Sequence, residues 1–337
     1  MKIVADKRIP GFAEGINALL PDAEFIMKEG SEITAADVRD ADALIVRTRT
    51  RCDASLLRGS RVRLIGSATI GTDHIDLPWC KEAGISVVNA PGCNAPAVMQ
   101  YVASTLHAAG FDPRRHTLGV VGKGHIGSLV TELYKKEGTR VVVCDPPRAE
   151  AGLTDEDYLP LEDLLEVSDA VTLHVPYTTS GPHPTGRMLS GPLPENLQII
   201  VNASRGPVVD TALVSTNRKW IIDTWPFEEF PADFNAEERR RLIDSAFIAT
   251  PHIAGYSVEG KGRATRAMLA ALARFAAAET METAGRGGET YAIPDLRTVI
   301  DSFDPRPLSE ALKTSPDAFE ALRGAHLRPE PSQHQQP

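Results

Sequence analysis

The sequence predicts an α/β protein built from two doubly wound parallel sheets, and three observations support this fold class. Short apolar, β-branched segments alternate with helical patterns along most of the 337 residues. A long helical pattern over 95–109 divides these segments into two series. The length also suits two domains, because one domain takes roughly 100–200 residues. Apolar strands that alternate with helices indicate βαβ units, whose parallel sheets are covered by helices on both faces.

The first series contains four predicted strands and the second contains six. Helical patterns over 35–40 and 76–83 separate strands of the first series, and a second long helix is expected over 258–279. In chain order, the predicted strands are 2–5, 43–46, 64–66, 86–88, 118–121, 140–144, 170–173, 199–202, 221–223 and 247–249. The expected domains are therefore residues 1–94, completed by 256–284, and residues 95–255. The polar end, 329–337, is predicted to be disordered.

Composition excludes several classes of protein. With 42% apolar and 24% charged residues, the chain can bury a core and is not predicted to be disordered. A net charge of −9 disfavours nonspecific binding to nucleic acid or to an anionic membrane surface. No apolar stretch reaches the roughly 20 residues of a membrane span, and no secretory signal is recognisable. Four scattered cysteines suit a reducing cytosol, so a cytoplasmic location is expected.

A glycine-rich loop follows the first strand of the second series. Gly122 allows a tight turn, Gly124 lets the backbone approach a pyrophosphate, and Gly127 lets the following helix pack closely on the strand. Asp145 ends the next strand, where a carboxylate accepts hydrogen bonds from ribose hydroxyls and repels a 2′-phosphate. The sequence therefore predicts a Rossmann-like domain that binds NAD. Arg148 could meet a 2′-phosphate, which keeps NADP as the alternative.

Three further loops follow later strands of the second series and carry polar residues. They cover 202–210, 223–228 and 250–256, and contain an arginine beside a glycine, a pair of glutamates and a histidine after a proline. In open parallel sheets, ligands bind outside the carboxyl ends of the strands. The loops are therefore expected to converge on one cleft.

Four segments carry a resemblance to a known family: 71–76 (GTDHID), 90–95 (APGCNA), 144–149 (CDPPRA) and 250–256 (TPHIAGY). On these segments the chain resembles the D-isomer-specific 2-hydroxyacid dehydrogenases, from residue 2 to about residue 275, with weaker echoes in 303–323. Within the family, the resemblance is to members that use NAD to oxidise 4-phospho-D-erythronate to 3-hydroxy-2-oxo-4-phosphobutanoate in pyridoxal 5′-phosphate (vitamin B6) synthesis.

The resemblance implies a catalytic triad of Arg205, Glu228 and His252. Arg205 would present a planar fork to the substrate carboxylate and oxygen. His252 would take the C2 hydroxyl proton as hydride leaves C2 for the nicotinamide. Glu228 would fix the imidazole tautomer and stabilise the imidazolium. Glu229, next in the chain, competes with Glu228 for this assignment.

The resemblance also implies the residues that bind cofactor and substrate. Besides the three glycines and Asp145, the implied cofactor contacts are His125, Ile126, Val175, Ala203, Ser204, Arg205, Asp223 and Gly255. Thr48, Thr69 and Tyr256 are the implied substrate contacts. Arg47 is a candidate for the substrate phosphate, because a negatively charged protein needs local cations to attract an anion; a solvated surface arginine is the alternative. No metal is expected, since His74 lies beside two aspartates without a third ligand at a suitable spacing.

The chain departs from the family in two regions. The C-terminal dimerisation domain of the family is reduced to 285–328, so a homodimer with an abbreviated interface is expected. The segment 210–223 is also short, and its part 211–215 allows little more than one helical turn. Two alternatives stay open: another D-2-hydroxyacid dehydrogenase, acting on phosphoglycerate or an unphosphorylated acid, and an NAD-sensing, corepressor-like protein with the same fold.

Overall fold

The computed structural model describes residues 1–153, 157–278 and 291–331. The first part of the chain forms β1 (Lys2–Asp6), α1 (Phe12–Leu19), β2 (Glu24–Lys28), α2 (Ala35–Val38), β3 (Ala43–Val46), α3 (Ala54–Leu57), β4 (Leu64–Ser67), α4 (Leu77–Glu82) and β5 (Ser86–Val88). The central part forms α5 (Ala95–Ala108), β6 (Thr117–Val121), α6 (His125–Lys136), β7 (Arg140–Cys144), α7 (Pro146–Glu150), α8 (Leu161–Val167), β8 (Ala170–Leu173), β9 (Ile199–Asn202), β10 (Lys219–Ile222), α9 (Pro226–Glu229), α10 (Ala236–Ser245) and β11 (Ile248–Ala249). The last part forms α11 (Val258–Ala276), α12 (Leu296–Asp301), α13 (Arg306–Thr314) and α14 (Phe319–Ala325).

The chain divides into two compact units. The first contains Met1–Asn94 and the described part of Ser257–Thr290. The second contains Ala95–Tyr256 and the described part of Tyr291–Pro337. Tyr256 and the segment 291–331 therefore belong to the second unit.

The first unit is a five-stranded parallel sheet in the order β2-β1-β3-β4-β5. In the register of its centre, Ile3 lies opposite Ala43. All four residues of β3 are buried, as expected for a strand with helices on both faces. Helix α11 covers one face closely: a Cβ added to Gly66 of β4 would lie 2.8 Å from the Met268 sulfur.

The second unit is a six-stranded parallel sheet in the order β11-β10-β9-β8-β6-β7. Its strand order reverses between β6 and β8, which is where ligands bind in sheets of this kind. Helix α5 is buried over most of its length and packs against α6 and α12. The segment after residue 291 thus covers α5 through α12 and contacts β11 through α13.

These two parallel sheets confirm the predicted fold class. The elements that the sequence patterns did not predict include β2, α1 and α10. The short segment before β10 forms a single 3-10 turn, Thr211–Leu213. Pro329, at the start of the predicted tail, accepts a hydrogen bond from the Gln100 side chain at 3.1 Å. Residues 279–290 and 332–337, which include parts of the predicted C-terminal segments, lie outside the described residues.

No helix among the described residues has the length and apolar character needed to cross a membrane. No group of three or more His, Cys, Asp or Glu side chains in the same residues could hold a metal ion. All four cysteines are free and buried.

Candidate active site

The glycine loop joins β6 to α6 in the second unit. Gly122 has φ +89°, and an added Cβ would lie 2.6 Å from the His174 carbonyl oxygen, so any other residue would be strained and crowded there. A Cβ on Gly127 would collide with the Gly122 carbonyl oxygen. A Cβ on Gly124 would meet nothing within 4 Å. The loop is therefore closed against the protein at two glycines and open at the third, directly before the α6 N-terminus, which suits the approach of a pyrophosphate.

Asp145 lies at the end of β7 beside this loop. Its carboxylate accepts hydrogen bonds from the Lys123 backbone N–H at 2.7 Å and from the Arg148 backbone N–H at 3.1 Å. The Arg148 side chain donates to the Tyr158 hydroxyl at 3.2 Å. Asp145 is thus placed where the glycine loop and α7 begin, as a ribose-binding carboxylate requires.

The other predicted cofactor contacts lie at the carboxyl ends of neighbouring strands. His125 is exposed and Ile126 is half-buried at the start of α6, while Val175 follows β8 and lies close to Gly122. Ala203 and Ser204 follow β9, where the Ser204 hydroxyl donates to the Asn202 side chain at 2.9 Å. Gly255 is half-buried in the loop after β11. The structure brings these residues to one edge of the sheet, and their contact with a cofactor stays a prediction.

Asp223, predicted as a cofactor contact, is fully buried after β10. Its carboxylate accepts hydrogen bonds from the Thr250 hydroxyl at 2.6 Å and from the backbone N–H groups of Ile253 and Ala254 at 2.8 Å each. These bonds hold the loop that carries His252. That residue has φ +54°, a left-handed conformation that costs a non-glycine residue about 1–3 kcal/mol. The contacts seen for Asp223 therefore stabilise a strained loop.

Glu228 and His252 form a direct pair. His252 Nδ1 lies 2.8 Å from Glu228 Oε1, and the other carboxylate oxygen accepts the Trp225 backbone N–H at 2.9 Å. The side chains are 16% and 30% exposed, respectively, so the pair is shielded but reachable. When Nδ1–H donates to the carboxylate, Nε2 carries the lone pair of the neutral imidazole. Glu228, and not Glu229, is the carboxylate that bonds His252.

The pair shifts the pKa of both partners. Burial opposes the charged imidazolium, but the Glu228 charge and its hydrogen bond, with a smaller contribution from Asp223, outweigh burial and raise the pKa of His252 above its usual 6.5. Burial likewise favours neutral Glu228, but His252, together with the Trp225 N–H and Arg323, outweighs burial and lowers the pKa of Glu228. The geometry therefore favours an ionised glutamate beside a histidine that can take up a proton.

Arg205 and Glu229 complete this part of the site. Gly206 packs against the backbone of Trp225 and Pro226, so the loop after β9 contacts the start of α9. Glu229 Oε2 is buried and has no hydrogen-bond partner among the described residues. Burial and the neighbouring Glu228 raise the pKa of Glu229 to about 7, while Arg205 and His252 oppose the rise. The second glutamate is thus a strongly perturbed group within electrostatic reach of the predicted triad.

The remaining predicted substrate contacts lie in the first unit. Arg47 forms an ion pair with the fully buried Asp6, with Nε 3.0 Å from Oδ2, and its side chain is 28% exposed. Thr48 is exposed at the end of β3. The Thr69 hydroxyl lies 2.7 Å from the Ser67 hydroxyl, which lies 3.3 Å from His74 Nε2. Arg47 is therefore already paired with a carboxylate, and its role toward a phosphate stays a prediction.

Two arginines near the loop carrying His252 were not identified from the sequence. Arg323 of α14 donates from Nε to the Tyr256 hydroxyl at 3.0 Å and lies 3.4 Å from Glu228 Oε1 through Nη1. Arg328 is buried and donates to the carbonyls of Ile253 at 2.8 Å and Ala254 at 2.6 Å. The sequence showed only a weak family resemblance over 303–323, which includes Arg323 but not Arg328 and assigned a role to neither residue.

The geometry of the site and the similarity of the chain to known proteins indicate the same class of enzyme. The chain belongs to the D-isomer specific 2-hydroxyacid dehydrogenase family, whose catalytic-domain model matches residues 6–285. It is similar to the erythronate-4-phosphate dehydrogenase of Bacteroides fragilis, with 40% identity over 96% of this chain and 95% of that protein. The protein of the same name from Porphyromonas gingivalis is 37% identical, over 98% of this chain and 93% of its own length. The resemblance found in the sequence is thereby confirmed.

Solved structures show the same fold. A D-lactate dehydrogenase from Aquifex aeolicus, complexed with NAD and lactic acid, matches with a TM-score of 0.64 at 22% identity, over 82% of this chain and 96% of that one. A 3-phosphoglycerate dehydrogenase from Entamoeba histolytica with bound NAD+ matches with a TM-score of 0.68 at 24% identity, over 84% of this chain and 99% of that one. At these identities the likeness supports the fold and no particular substrate.

Proposed function

We propose that this chain oxidises 4-phospho-D-erythronate to 3-hydroxy-2-oxo-4-phosphobutanoate with NAD, a step of pyridoxal 5′-phosphate synthesis. The observation that supports the chemistry is the 2.8 Å hydrogen bond between Glu228 and His252 at the carboxyl edge of a parallel sheet. The substrate is inferred from relatives that are about 40% identical over nearly the whole chain.

NAD fits the residues present in the second unit. The open position at Gly124 and the N-terminus of the 12-residue helix α6 suit a pyrophosphate, and Asp145 suits the ribose hydroxyls. Bound NAD supplies the acceptor for the hydride that leaves C2 of the substrate. Asp145 also repels a 2′-phosphate, so we infer a preference for NAD over NADP.

The chain's own residues would handle the proton and the substrate. Neutral His252 accepts the C2 hydroxyl proton at Nε2 as the C2–O bond becomes a carbonyl. Glu228 keeps the tautomer with Nδ1–H and stabilises the imidazolium that forms. Arg205 pairs with the substrate carboxylate and keeps C2 oriented. Thr48, Thr69, Tyr256 and Arg47 are the proposed additional substrate contacts.

The activity test compares substrates on one preparation. NAD reduction is followed by absorbance with 4-phospho-D-erythronate, 3-phosphoglycerate and D-lactate, and His252→Asn serves as the control for chemistry at this site. We expect the highest kcat/KM for 4-phospho-D-erythronate and a loss of about 10²-fold or more in the variant. Preference for another acid would assign the chain to a different substrate. NAD binding without turnover of any acid would favour the cofactor-sensing alternative.

We also propose that the chain works as a homodimer in the cytoplasm. The dimer is proposed because the family resemblance implies a C-terminal dimerisation domain. Residues 285–328 are the expected, reduced counterpart of that domain in this chain. Four buried, free thiols support a reducing compartment. Sedimentation velocity at the assay concentration tests the dimer, and a single monomeric species would exclude it. Fractionation of the source cells tests the compartment.

A further inference from the structure

Arg323 lies beside the proposed proton-transfer pair but comes from the C-terminal segment, beyond the residues that match the family model. Its side chain is 17% exposed. One guanidinium carries two contacts: Nε donates to the Tyr256 hydroxyl at 3.0 Å, and Nη1 lies 3.4 Å from Glu228 Oε1. The same Oε1 accepts the hydrogen bond from His252. Arg323 therefore reaches the histidine through a single shared oxygen atom.

Packing places α14 so that this contact is made. Phe319 of α14 packs edge-on against Phe227 of α9, with ring centroids 5.7 Å apart. Positions four apart share one face of a helix, so Arg323 follows Phe319 on the face toward α9. Phe227 immediately precedes Glu228 in the chain. The contact between the rings thus anchors the arginine and the glutamate together.

We propose that Arg323 is a positioning residue for the Glu228–His252 pair, fixing the Glu228 carboxylate and the Tyr256 hydroxyl and opposing the stabilisation of protonated His252. This inference rests on the proposed function for its catalytic consequence. A carboxylate held from two sides presents one oxygen to the imidazole in a fixed direction, as preorganised sites require. The positive charge partly offsets the negative charge that Glu228 presents to His252.

Several charged groups act on this pair at once. Asp223 and Glu228 favour protonated His252, and Arg323 disfavours it. Glu229 lies beside Glu228 and is under the influence of Arg205 and His252. Glu320, one turn before Arg323, is 3.6 Å from the guanidinium but 58% exposed, so solvent screens it. Removal of Arg323 leaves Asp223 and Glu228 less opposed, and the pKa of His252 must then rise further.

The test follows His252 itself as well as the reaction. His252 is titrated by NMR in the full-length chain without substrate, and its signal among nine histidines is identified by its absence in His252→Asn. We expect Arg323→Gln to raise the pKa of His252, because the charge that opposes the imidazolium is removed. Arg323→Lys should restore most of the difference, because it returns the charge. Arg306→Gln in α13, which removes an exposed arginine paired with Asp304, should leave the titration unchanged.

Kinetics then show whether this position matters to the reaction. Arg323→Gln should lower kcat about 10-fold, as for the loss of a hydrogen bond to a charged group, with KM changed far less. The acid limb of the oxidation should move upward with the pKa of His252. Arg323→Met also removes the charge, with an unbranched apolar side chain in its place, and carries the same test if the glutamine variant does not fold.

The two readouts separate the possible failures. An unchanged His252 titration in both the glutamine and methionine variants would overturn the inference, whatever the activity. A lower kcat with an unmoved titration and no recovery in Arg323→Lys would also overturn it, because only a structural role would remain. A wild-type chain without dehydrogenase activity would refute the proposed function and with it the kinetic consequence, while the titration would still decide the charge effect.

Discussion

The variant Glu229→Gln tests how far ionisation of Glu229, the second glutamate of α9, lowers the free energy of unfolding. Glu229 Oε2 is buried without a hydrogen-bond partner among the described residues. Burial and the adjacent Glu228 raise the pKa of Glu229 from its usual 4.5 to about 7. Between these values the folded chain binds the proton more tightly than the unfolded chain, so the free energy of unfolding falls as the pH rises.

The size of the effect follows from the width of this interval. Each pH unit over which folded and unfolded chains differ by one proton changes the free energy of unfolding by about 1.4 kcal/mol. The whole interval amounts to about 3 kcal/mol, and screening of the partly exposed carboxyl reduces this to about 1–3 kcal/mol. A glutamine does not ionise. We therefore expect Glu229→Gln to match the wild type at about pH 5 and to be about 1–3 kcal/mol more stable at about pH 8.

Urea unfolding followed by tryptophan fluorescence measures this difference, since Trp220 and Trp225 are buried in the second unit. Glu237→Gln is the matched control, because it makes the same substitution at an exposed position of α10. The same change in stability at both pH values would show that Glu229 does not titrate in this interval. A less stable variant at about pH 8 would contradict the sign of the argument.

The remaining predictions concern the pair and the cofactor loop. Glu228→Gln should lower kcat by about 10²-fold or more and move the acid limb of the oxidation to lower pH, because the charge that raises the pKa of His252 is lost; a pH–rate profile checks both. Gly122→Ala should cost about 2–4 kcal/mol in urea unfolding, from its φ of +89° and the crowded Cβ position. Gly124→Ala should keep most of the stability but weaken NAD binding in titration calorimetry, since its methyl group enters the open space of the loop. Asp145→Ala should raise the Kd for NAD about 10-fold and reduce the ratio by which NAD is preferred to NADP.

Strands buried on both faces could be predicted well because their sequences are continuous apolar runs. The predicted strands 43–46, 140–144, 170–173 and 199–202 coincide with β3, β7, β8 and β9. The edge strand β2 differs, since its residues are half-buried or exposed and it begins and ends with charged side chains. Helix α10 was missed for a related reason: it is rich in charged residues and buries only Leu242 and Ile243.

Within the candidate site, features that form a local sequence pattern could be predicted, whereas contacts between residues far apart in the chain could not be predicted from spacing or helix pattern. The glycine loop could be predicted because its three glycines and the strand and helix that flank them form a local sequence pattern. The Glu228–His252 pair spans 24 residues and was predicted from family resemblance alone. Arg323 lies 95 residues from the carboxylate it contacts, so neither its spacing nor its helix pattern indicated the contact. Asp223 was predicted as a cofactor contact, and its bonds to the loop carrying His252 depend on a fold that brings β10 beside β11.

The C-terminal segment carries two arginines that lie near the carboxylates beside His252. Asp223 and Glu228 both favour the protonated imidazole, whereas the proposed oxidation starts from the neutral one. Arg328 is buried within the electrostatic influence of Asp223, and its donations to the carbonyls of Ile253 and Ala254 reinforce the loop that Asp223 holds. Arg323 lies beside Glu228. Arg323 and Arg328 of the C-terminal segment thus place positive charge beside the two carboxylates that stabilise protonated His252, and this favours the neutral imidazole that the proposed oxidation starts from.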